Sequence, residues 1–311
     1  MAGTHSEALR SWFGSRLQIS EPLSRYTSAR IGGPAEFLAV AASSLALTEA
    51  AQAAYRLAIP LLILGAGSNV LVADEGVAGL VVVNRAKGVE YRTEAPRIGV
   101  RAESGGAIGA LARQCAQQGL AGLEWAATVP GTVGGAVYGN AGAHSGDTAS
   151  CLTLAEILQP DGTVQHLTAD EMGFGYRTSL LKKLTADRRL SATVLAAEFA
   201  LTRDEPSTLL ARIEQFVAHR KRTQPPGASI GSMFRNPPGD YAGRLIDAAG
   251  LKGKRIGRAE ISTVHANFFV NRGDAQAVDV KALIDGARET VQRKFGVTLE
   301  LEIELIGEWA S

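Results

Sequence analysis

Residues 129–143 read VPGTVGGAVYGNAGA, a stretch of small residues with few charges. Six glycines fall between Gly131 and Gly146. Ordering so flexible a backbone costs much conformational entropy, and its small side chains return little burial. We therefore expect the backbone to lie against a large, flat ligand. The alternative is a small-residue surface that packs a helix onto a strand.

A second glycine loop, GAGSN, covers residues 65–69 directly after an apolar strand predicted at 61–64. A Rossmann fingerprint would need a third glycine three residues after Gly67, followed by a helix. That position is Val70, which begins another predicted strand, and the sequence contains no P-loop pattern. The loop therefore indicates either a nest of backbone N–H groups that binds an anion or an ordinary tight turn.

Composition narrows the class of protein. The 311 residues include 32 Lys and Arg against 31 Asp and Glu, so no surface for nucleic acid is expected. The N-terminal segment lacks a signal-peptide pattern and no apolar run is long enough to span a membrane, so we expect a cytoplasmic protein. Cys115 and Cys151 have no ligand spacing, so we expect two reduced, buried thiols and no metal site.

Strands and helices are mixed along the chain, which indicates an α+β or α/β fold. Asp161 and Gly162 predict a hairpin turn, and the charged segment at 203–206 predicts a domain boundary. Helices are predicted at 43–58, 107–118, 241–249 and 275–295 and along the apolar stripe from Leu209 to Val217, and strands at 61–64, 70–72, 80–83, 151–158, 195–202 and 297–305.

At both glycine loops the sequence resembles the UDP-N-acetylenolpyruvoylglucosamine reductases, whose pattern is GxGSN followed by (I/V)PGTVGGAV…NAGA. The resemblance implies an α+β fold with an N-terminal extension at 1–30, a FAD-binding domain at 31–203 and a smaller C-terminal substrate domain at 204–311. The FAD-binding domain is implied to be of the vanillyl-alcohol-oxidase/PCMH type, with subdomains at about 31–85 and 86–203. FAD is implied to bind non-covalently to Gly65, Ala66, Gly67, Ser68, Asn69, Pro130, Gly131, Thr132, Gly134, Gly135, Asn140, Ala141 and Gly142.

Three further motifs carry the chemistry that this resemblance implies. Arg177 in FGYRTS would bind the substrate carboxylate, Ser232 in GSMFRNP would donate a proton, and Glu302 in LEIE would stabilise an enolate. A guanidinium suits a carboxylate because it is permanently charged and offers a bidentate fork. Considered alone, these residues also fit a surface arginine, a loop serine and an acidic strand edge. The family commonly has Arg where this chain has Glu304, so the charge around Glu302 differs.

The resemblance also implies a UDP-sugar substrate, NADPH as co-substrate and a monomer. The substrate-binding residues it implies are Tyr176, Arg177, Asn236 and Asn267. The short chain between Arg177 and Ser232 resembles the subclass that lacks an inserted tyrosine loop. Two other functions stay open on the sequence: an oxidase with the same FAD fold, and a nucleotide-binding protein that senses rather than catalyses.

Overall fold

A computed structural model describes residues 2–94, 97–185 and 192–309. The chain forms two compact units. Both are assembled from separated stretches of sequence, whereas the predicted domains at 1–30, 31–203 and 204–311 are contiguous, and that contiguous division stays a prediction. The first unit comprises Met1–Ile19, Phe37–Ala66 and Gly79–His219, and the second comprises Ser20–Glu36, Gly67–Ala78 and Arg220–Ser311.

The structure contains the mixture of helices and strands that the sequence predicts. The helices among the described residues are α1 (Ala2–Phe13), α2 (Ser44–Leu57), α3 (Ile108–Gln117), α4 (Val133–Gly139), α5 (Leu180–Leu184), α6 (Pro206–Thr223), α7 (Ala242–Ala248) and α8 (Ala277–Phe295). The strands are β1 (Gln18–Pro22), β2 (Pro34–Ala41), β3 (Leu61–Leu64), β4 (Val70–Val72), β5 (Val77–Asn84), β6 (Val89–Glu94), β7 (Arg97–Glu103), β8 (Leu120–Ala121), β9 (Gly142–Ala143), β10 (Gly146–Asp147), β11 (Leu152–Leu158), β12 (Val164–Thr168), β13 (Thr193–Arg203), β14 (Ala228–Ser232), β15 (Arg255–Ile256), β16 (Ala259–Ile261), β17 (Phe268–Asn271) and β18 (Glu304–Ile306).

The first unit contains two hydrophobic cores. One lies on an antiparallel sheet of order β12-β11-β13-β7-β6, with β8 paired to β13. Helix α3 buries Ile108, Leu111, Ala112 and Cys115 in this core, which confirms the predicted face. The other core holds α2 against β3 and β5, two strands that run parallel with Leu61 opposite Leu80.

The second unit packs α7 and α8 with an antiparallel sheet of order β14-β17-β16-β15. Helix α8 turns Val280, Leu283, Ile284, Ala287 and Val291 inward, as predicted. It ends at Gly296, which adopts φ +70°, a conformation that glycine reaches without a Cβ penalty.

The predicted strand at 297–305 is wrong over most of its length. Only Glu304–Ile306 forms a strand, β18, which pairs in parallel with β4. The alternation is nevertheless real, because Leu299 and Ile303 are buried and Leu301 and Leu305 pack beside them. An alternating pattern predicts which side chains are buried, but a ladder also needs a partner strand.

Candidate functional site

The glycine-rich stretch folds differently from the loop that its composition predicts. Residues Val133–Gly139 form the short helix α4, whose first turn is capped by Thr132, with Oγ1 accepting the N–H of Gly135 at 3.3 Å. Val133, Ala136 and Val137 are buried, and the helix ends at Asn140 in the left-handed region at φ 44°. The prediction of an irregular loop was therefore wrong for α4, because a cap and one buried face outweigh the low helix propensity of glycine.

The glycines of this stretch fall into two kinds, according to what a Cβ would meet. At Gly134 it would lie 2.9 Å from Cβ of Ser104, and at Gly142 it would lie 2.8 Å from the carbonyl of Gly146. At Gly135 the nearest described atom would be 3.6 Å away, and at Gly139 none lies within 4 Å. The first kind is required by packing. The second kind leaves backbone accessible to a ligand. The packing alternative therefore applies to the first kind, and ligand contact stays a prediction for the second.

The two glycine loops meet within the first unit. A Cβ on Gly65 would lie 2.5 Å from Oγ1 of Thr132, so glycine is needed for this approach. Pro130 is exposed, and Gly131 has φ +132° with its carbonyl accepting the N–H of Ile108 at 3.2 Å. Ala141 is half-buried and its N–H donates to the carbonyl of Ala136.

Main-chain carbonyls of the GAGSN loop are engaged by donors from the protein. The carbonyl of Gly65 accepts Nη1 of Arg85 at 3.0 Å. The carbonyl of Gly67 accepts the N–H of Ser28 at 3.0 Å, and that of Asn69 accepts the N–H of Glu304 at 2.9 Å. A carbonyl aimed at a diphosphate would repel it, so this arrangement suits a backbone nest for an anion. Ala66 and Ser68, between these residues, are half-buried.

Arg85 is a residue that the motifs did not identify. It directly follows β5, and its guanidinium reaches the carbonyl of Gly65, which directly follows β3. The sequence held a usable signal. If the two apolar strands are taken as parallel neighbours, the residues after their carboxyl ends lie at one edge of the sheet, where ligands bind in open α/β sheets.

Tyr176 and Arg177 occupy the tip of a tight turn in the first unit. Gly175 and Thr178 exchange both main-chain hydrogen bonds, at 3.1 and 3.2 Å. Arg177 adopts φ +56° and donates from Nη2 to the carbonyl of Gly142 at 2.8 Å. Tyr176 is 55% exposed, and its ring centroid lies 5.3 Å from Cζ of Arg177. The turn therefore holds the guanidinium of Arg177 against the glycine-rich stretch. The backbone of Arg177 adopts the left-handed conformation, which costs energy for a residue other than glycine.

Asn140 connects this turn to the glycine-rich stretch. It is buried, and Nδ2 donates to the carbonyl of Gly175 at 3.0 Å and to Oδ2 of Asp147 at 3.3 Å. Its Oδ1 accepts the N–H of Ala149 at 3.0 Å. These bonds occupy the carboxamide within the protein. Asn140 would therefore contribute to a cofactor site indirectly, by holding Arg177 and its neighbours in position. Direct contact of Asn140 with FAD stays a prediction.

Ser232 and Glu302 are brought together within the second unit. Ser232 is the last residue of β14 and pairs with Phe268 of β17, after a register shift that follows Ser229. The next residue, Met233, accepts the N–H of Glu302 on its carbonyl at 2.9 Å. Glu302 also accepts Nδ2 of Asn69 on its own carbonyl at 3.2 Å. Hydrogen bonds to the main chain of Met233 and Glu302 therefore bring together the predicted proton donor, the predicted acid and the end of the GAGSN loop.

The two asparagines predicted to bind substrate have different environments. Asn236 is exposed, and its Oδ1 accepts the N–H of Ala242 at the start of α7, at 3.1 Å. Asn267 is buried, and both ends of its carboxamide bond the main chain of Phe234. Their contacts with substrate stay predictions.

Other kinds of site find no support among the described residues. No group of three or more His, Cys, Asp or Glu in this part of the chain could hold a metal ion. Burial raises the pKa of Cys115 and of Cys151 to about 12, so both thiols stay protonated at neutral pH. None of the helices built by these residues is long and apolar enough to cross a membrane.

FAD fits the residues that are present. The glycine-rich stretch exposes backbone at Gly135 that a side chain on this residue would cover. The GAGSN loop engages alternate carbonyls within the protein, and Arg85 places a cation at its first residue. Backbone of this kind can approach the rings and the diphosphate of a dinucleotide closely. The fold and the site are therefore those of a flavoprotein.

Comparison with known proteins also indicates FAD binding, and it identifies the family. Residues 35–168 match the family model described as FAD binding domain, and residues 222–306 match that of the UDP-N-acetylenolpyruvoylglucosamine reductase C-terminal domain. The UDP-N-acetylenolpyruvoylglucosamine reductase of Chloroflexus aggregans is 46% identical over 290 residues, which is 93% of this chain and 97% of that protein. The chain belongs to the UDP-N-acetylenolpyruvoylglucosamine reductase family. It is an enzyme that uses FAD, and the predictions of family, α+β fold class and cofactor are confirmed.

Two further similarities extend over almost the whole chain. A UDP-N-acetylenolpyruvoylglucosamine reductase from Symbiobacterium thermophilum is 44% identical over 295 residues, covering 94% of this chain and 92% of that protein. The crystal structure of the reductase from Thermus caldophilus superposes with a TM-score of 0.76 at 35% identity, covering 94% of this chain and 98% of that one. The similarity is therefore to the complete reductases and includes the C-terminal part.

Proposed function

We propose that this enzyme reduces UDP-N-acetyl-3-O-(1-carboxyvinyl)-glucosamine to UDP-N-acetylmuramate with NADPH, in the synthesis of peptidoglycan precursors. The names of its relatives supply the substrate class. The observation that carries the proposal is that the hydroxyl of Ser232 and the carboxyl of Glu302 lie on adjoining main chain in the second unit. Ser232 directly precedes Met233, and the N–H of Glu302 donates to the carbonyl of Met233. The short chain between Arg177 and Ser232 supports the subclass without the tyrosine-loop insertion.

When bound, FAD would supply the hydride chemistry, with hydride taken from NADPH and passed from flavin N5 to C3 of the enolpyruvyl group. The backbone of Gly65, Gly67 and Gly135 would hold FAD. Hydride addition at C3 leaves negative charge at C2 and on the adjoining carboxylate of the substrate. The chain must stabilise that charge and then supply one proton, so that hydride and proton together saturate the double bond.

Arg177 binds the substrate carboxylate and stabilises the enolate. Its guanidinium is permanently charged, and Nη2 is already oriented by the carbonyl of Gly142. A donor fixed before reaction stabilises developing charge without the cost of reorienting. Glu302 acts on the same enolate through its carboxyl group.

Ser232 gives its hydroxyl proton to C2. A serine is a weak acid, but a carbanion-like carbon is a base strong enough to accept a hydroxyl proton. General acid catalysis by a positioned side chain contributes roughly 100- to 10,000-fold to a rate. Removing the hydroxyl should therefore affect the step that consumes substrate and spare the step that consumes NADPH.

Anaerobic spectroscopy separates these two steps. NADPH should bleach the flavin of both the wild type and Ser232→Ala at similar rates. The UDP-sugar should restore the colour of the wild type, and restore that of Ser232→Ala at least about 100-fold more slowly. Ser229→Ala, on the same strand β14, is the matched control and should behave as wild type. Wild-type reoxidation in Ser232→Ala would remove Ser232 from this role, and rapid reoxidation of the wild type by oxygen alone would favour an oxidase.

A further inference from the structure

Asn267 forms two side-chain hydrogen bonds with the main chain that follows Ser232 in the second unit. Its Oδ1 accepts the N–H of Phe234 at 2.9 Å, and its Nδ2 donates to the carbonyl of Phe234 at 2.8 Å. Its own carbonyl accepts the N–H of Met233 at 2.8 Å. Asn267 is 3% exposed, so water cannot replace these bonds without an opening of the fold.

These bonds lie where regular pairing of β14 ends. Ser232 is the last residue that pairs with β17, and the two residues after it turn toward residues 300–302. The carboxamide takes the place of a strand there, because it offers Phe234 one acceptor and one donor side by side. Met233 and Phe234 are fully buried, so the main chain on the carboxyl side of Ser232 is fixed by packing and by Asn267.

The same short segment fixes Glu302. The carbonyl of Met233 accepts the N–H of Glu302, and the N–H of Arg235 donates to the carbonyl of Glu300, both at 2.9 Å. Phe234 and Leu301 face each other as an isolated bridge. Any movement of Phe234 away from Asn267 would therefore displace Ser232 on one side and Glu302 on the other.

We propose that Asn267 is a positioning residue that sets the hydroxyl of Ser232 and the carboxyl of Glu302 for protonation of the substrate, without contacting the substrate. The inference rests on the proposed function. It differs from the expectation that Asn267 binds substrate, because both ends of the carboxamide are committed to Phe234. Catalysis is sensitive to such positioning, since a misplacement of about 1 Å can cost roughly 100-fold in rate.

Asn267→Asp is the informative variant because it preserves shape. One carboxylate oxygen can still accept from Phe234, but the other would face the carbonyl of Phe234 and repel it. Lowering the pH should protonate the new side chain and restore an O–H donor at that place. We expect reoxidation of NADPH-reduced enzyme by the UDP-sugar to slow about 10- to 100-fold at neutral pH and to recover as the pH falls. Substrate affinity and bleaching by NADPH should stay within about twofold of wild type.

Asn271→Asp is the matched control on the same strand. Its Nδ2 donates to the carbonyl of Ala29 at 2.9 Å, and its Oδ1 accepts the N–H groups of Gly273 and Ala275. The substitution thus also removes a donor from a main-chain carbonyl, but opposite Ala228, at the other end of β14. It should leave both half-reactions and their pH dependence unchanged, which separates positioning from a general loss of stability.

Each outcome decides the question. Equal slowing of both half-reactions, or weaker substrate binding with normal reoxidation, would overturn the positioning role. If Asn267→Asp does not fold, Asn267→Ser can keep one of the two bonds and should slow reoxidation to a smaller extent, again without affecting bleaching. Normal reoxidation in Ser232→Ala would refute the proposed proton donor, whereas slow reoxidation there combined with normal reoxidation in Asn267→Asp would refute only this inference.

Discussion

Replacing Gly65 with alanine tests the contact between the two glycine loops. The added methyl would lie 2.5 Å from Oγ1 and 3.0 Å from Cγ2 of Thr132, whereas nonbonded carbon atoms settle at about 3.5–4.0 Å. Relief therefore requires a displacement on the order of 1 Å. Thr132 cannot yield freely because its hydroxyl caps α4 through the N–H of Gly135. Losing the cap costs about 0.5–2 kcal/mol, and retaining it strains the packing by about 1–3 kcal/mol.

A double-mutant cycle with Thr132→Ala isolates the clash. Thr132→Ala removes Oγ1 and Cγ2, and leaves Cβ at 3.3 Å from the added methyl. Each single variant should lose about 1–2 kcal/mol in urea unfolding of the FAD-free protein. The double variant should be less destabilised than the sum by at least about 0.5 kcal/mol, because the second substitution removes what the first collides with.

The affinity of Gly65→Ala for FAD tests the functional consequence of the same substitution. A displaced Gly65 shifts the carbonyl that accepts Arg85 and the loop that follows it. We expect Gly65→Ala to weaken FAD binding about tenfold, which corresponds to about 1.4 kcal/mol, as measured by the quenching of flavin fluorescence. Additive stabilities in the cycle, or unchanged FAD affinity in Gly65→Ala, would refute the view that the two loops require this close approach.

Three further predictions concern other parts of the chain. Gly135→Ala should stabilise the FAD-free protein by up to about 1 kcal/mol, since alanine favours a helix, yet weaken FAD binding; a loss of stability or unchanged affinity would contradict the ligand-facing assignment. Cys115 and Cys151 should not react with an aromatic disulfide at pH 8 until the protein unfolds, because burial raises the pKa of each thiol to about 12. Burial lowers the pKa of His265 below its ordinary 6.5, so the unfolded chain binds a proton there that the native state does not. Urea unfolding should therefore show stability falling as the pH drops through 6.5, less steeply in His265→Gln, and an equal slope in both proteins would exclude His265 as the cause.

Local signals predicted the regular elements well. Helix α2 begins after Ser43, whose Oγ accepts the N–H of Ala46 at 3.2 Å, and it ends before Ala58 in the left-handed region. The turn at Asp161 and Gly162 joins β11 to β12, with Gly162 at φ +88°. Caps, turns and apolar stripes act over a few residues, so the sequence alone contains them.

Helix α4 and the segment before β18 depend on partners distant in sequence. Helix α4 packs against β13 and β7 of the first unit, and propensity alone argues against a helix with three glycines in seven residues. Residues 297–303 alternate as a strand would, but their main chain serves Met233 and Arg235 instead of a neighbouring strand. Tertiary contacts override the local pattern in both cases.

The candidate site shows the same limit at the level of single side chains. Motifs identified Arg177, Ser232 and Glu302, but spacing could not reveal what holds each one. Asn140 was predicted to contact FAD and Asn267 to contact substrate. The structure turns each carboxamide onto main chain, at Gly175 near Arg177 and at Phe234 near Ser232. An asparagine can serve a turn or a strand end in this way because its amide presents the same donor and acceptor as a peptide group. A motif asparagine in such a fold is therefore as informative about the placement of a neighbouring catalytic group as about the ligand itself.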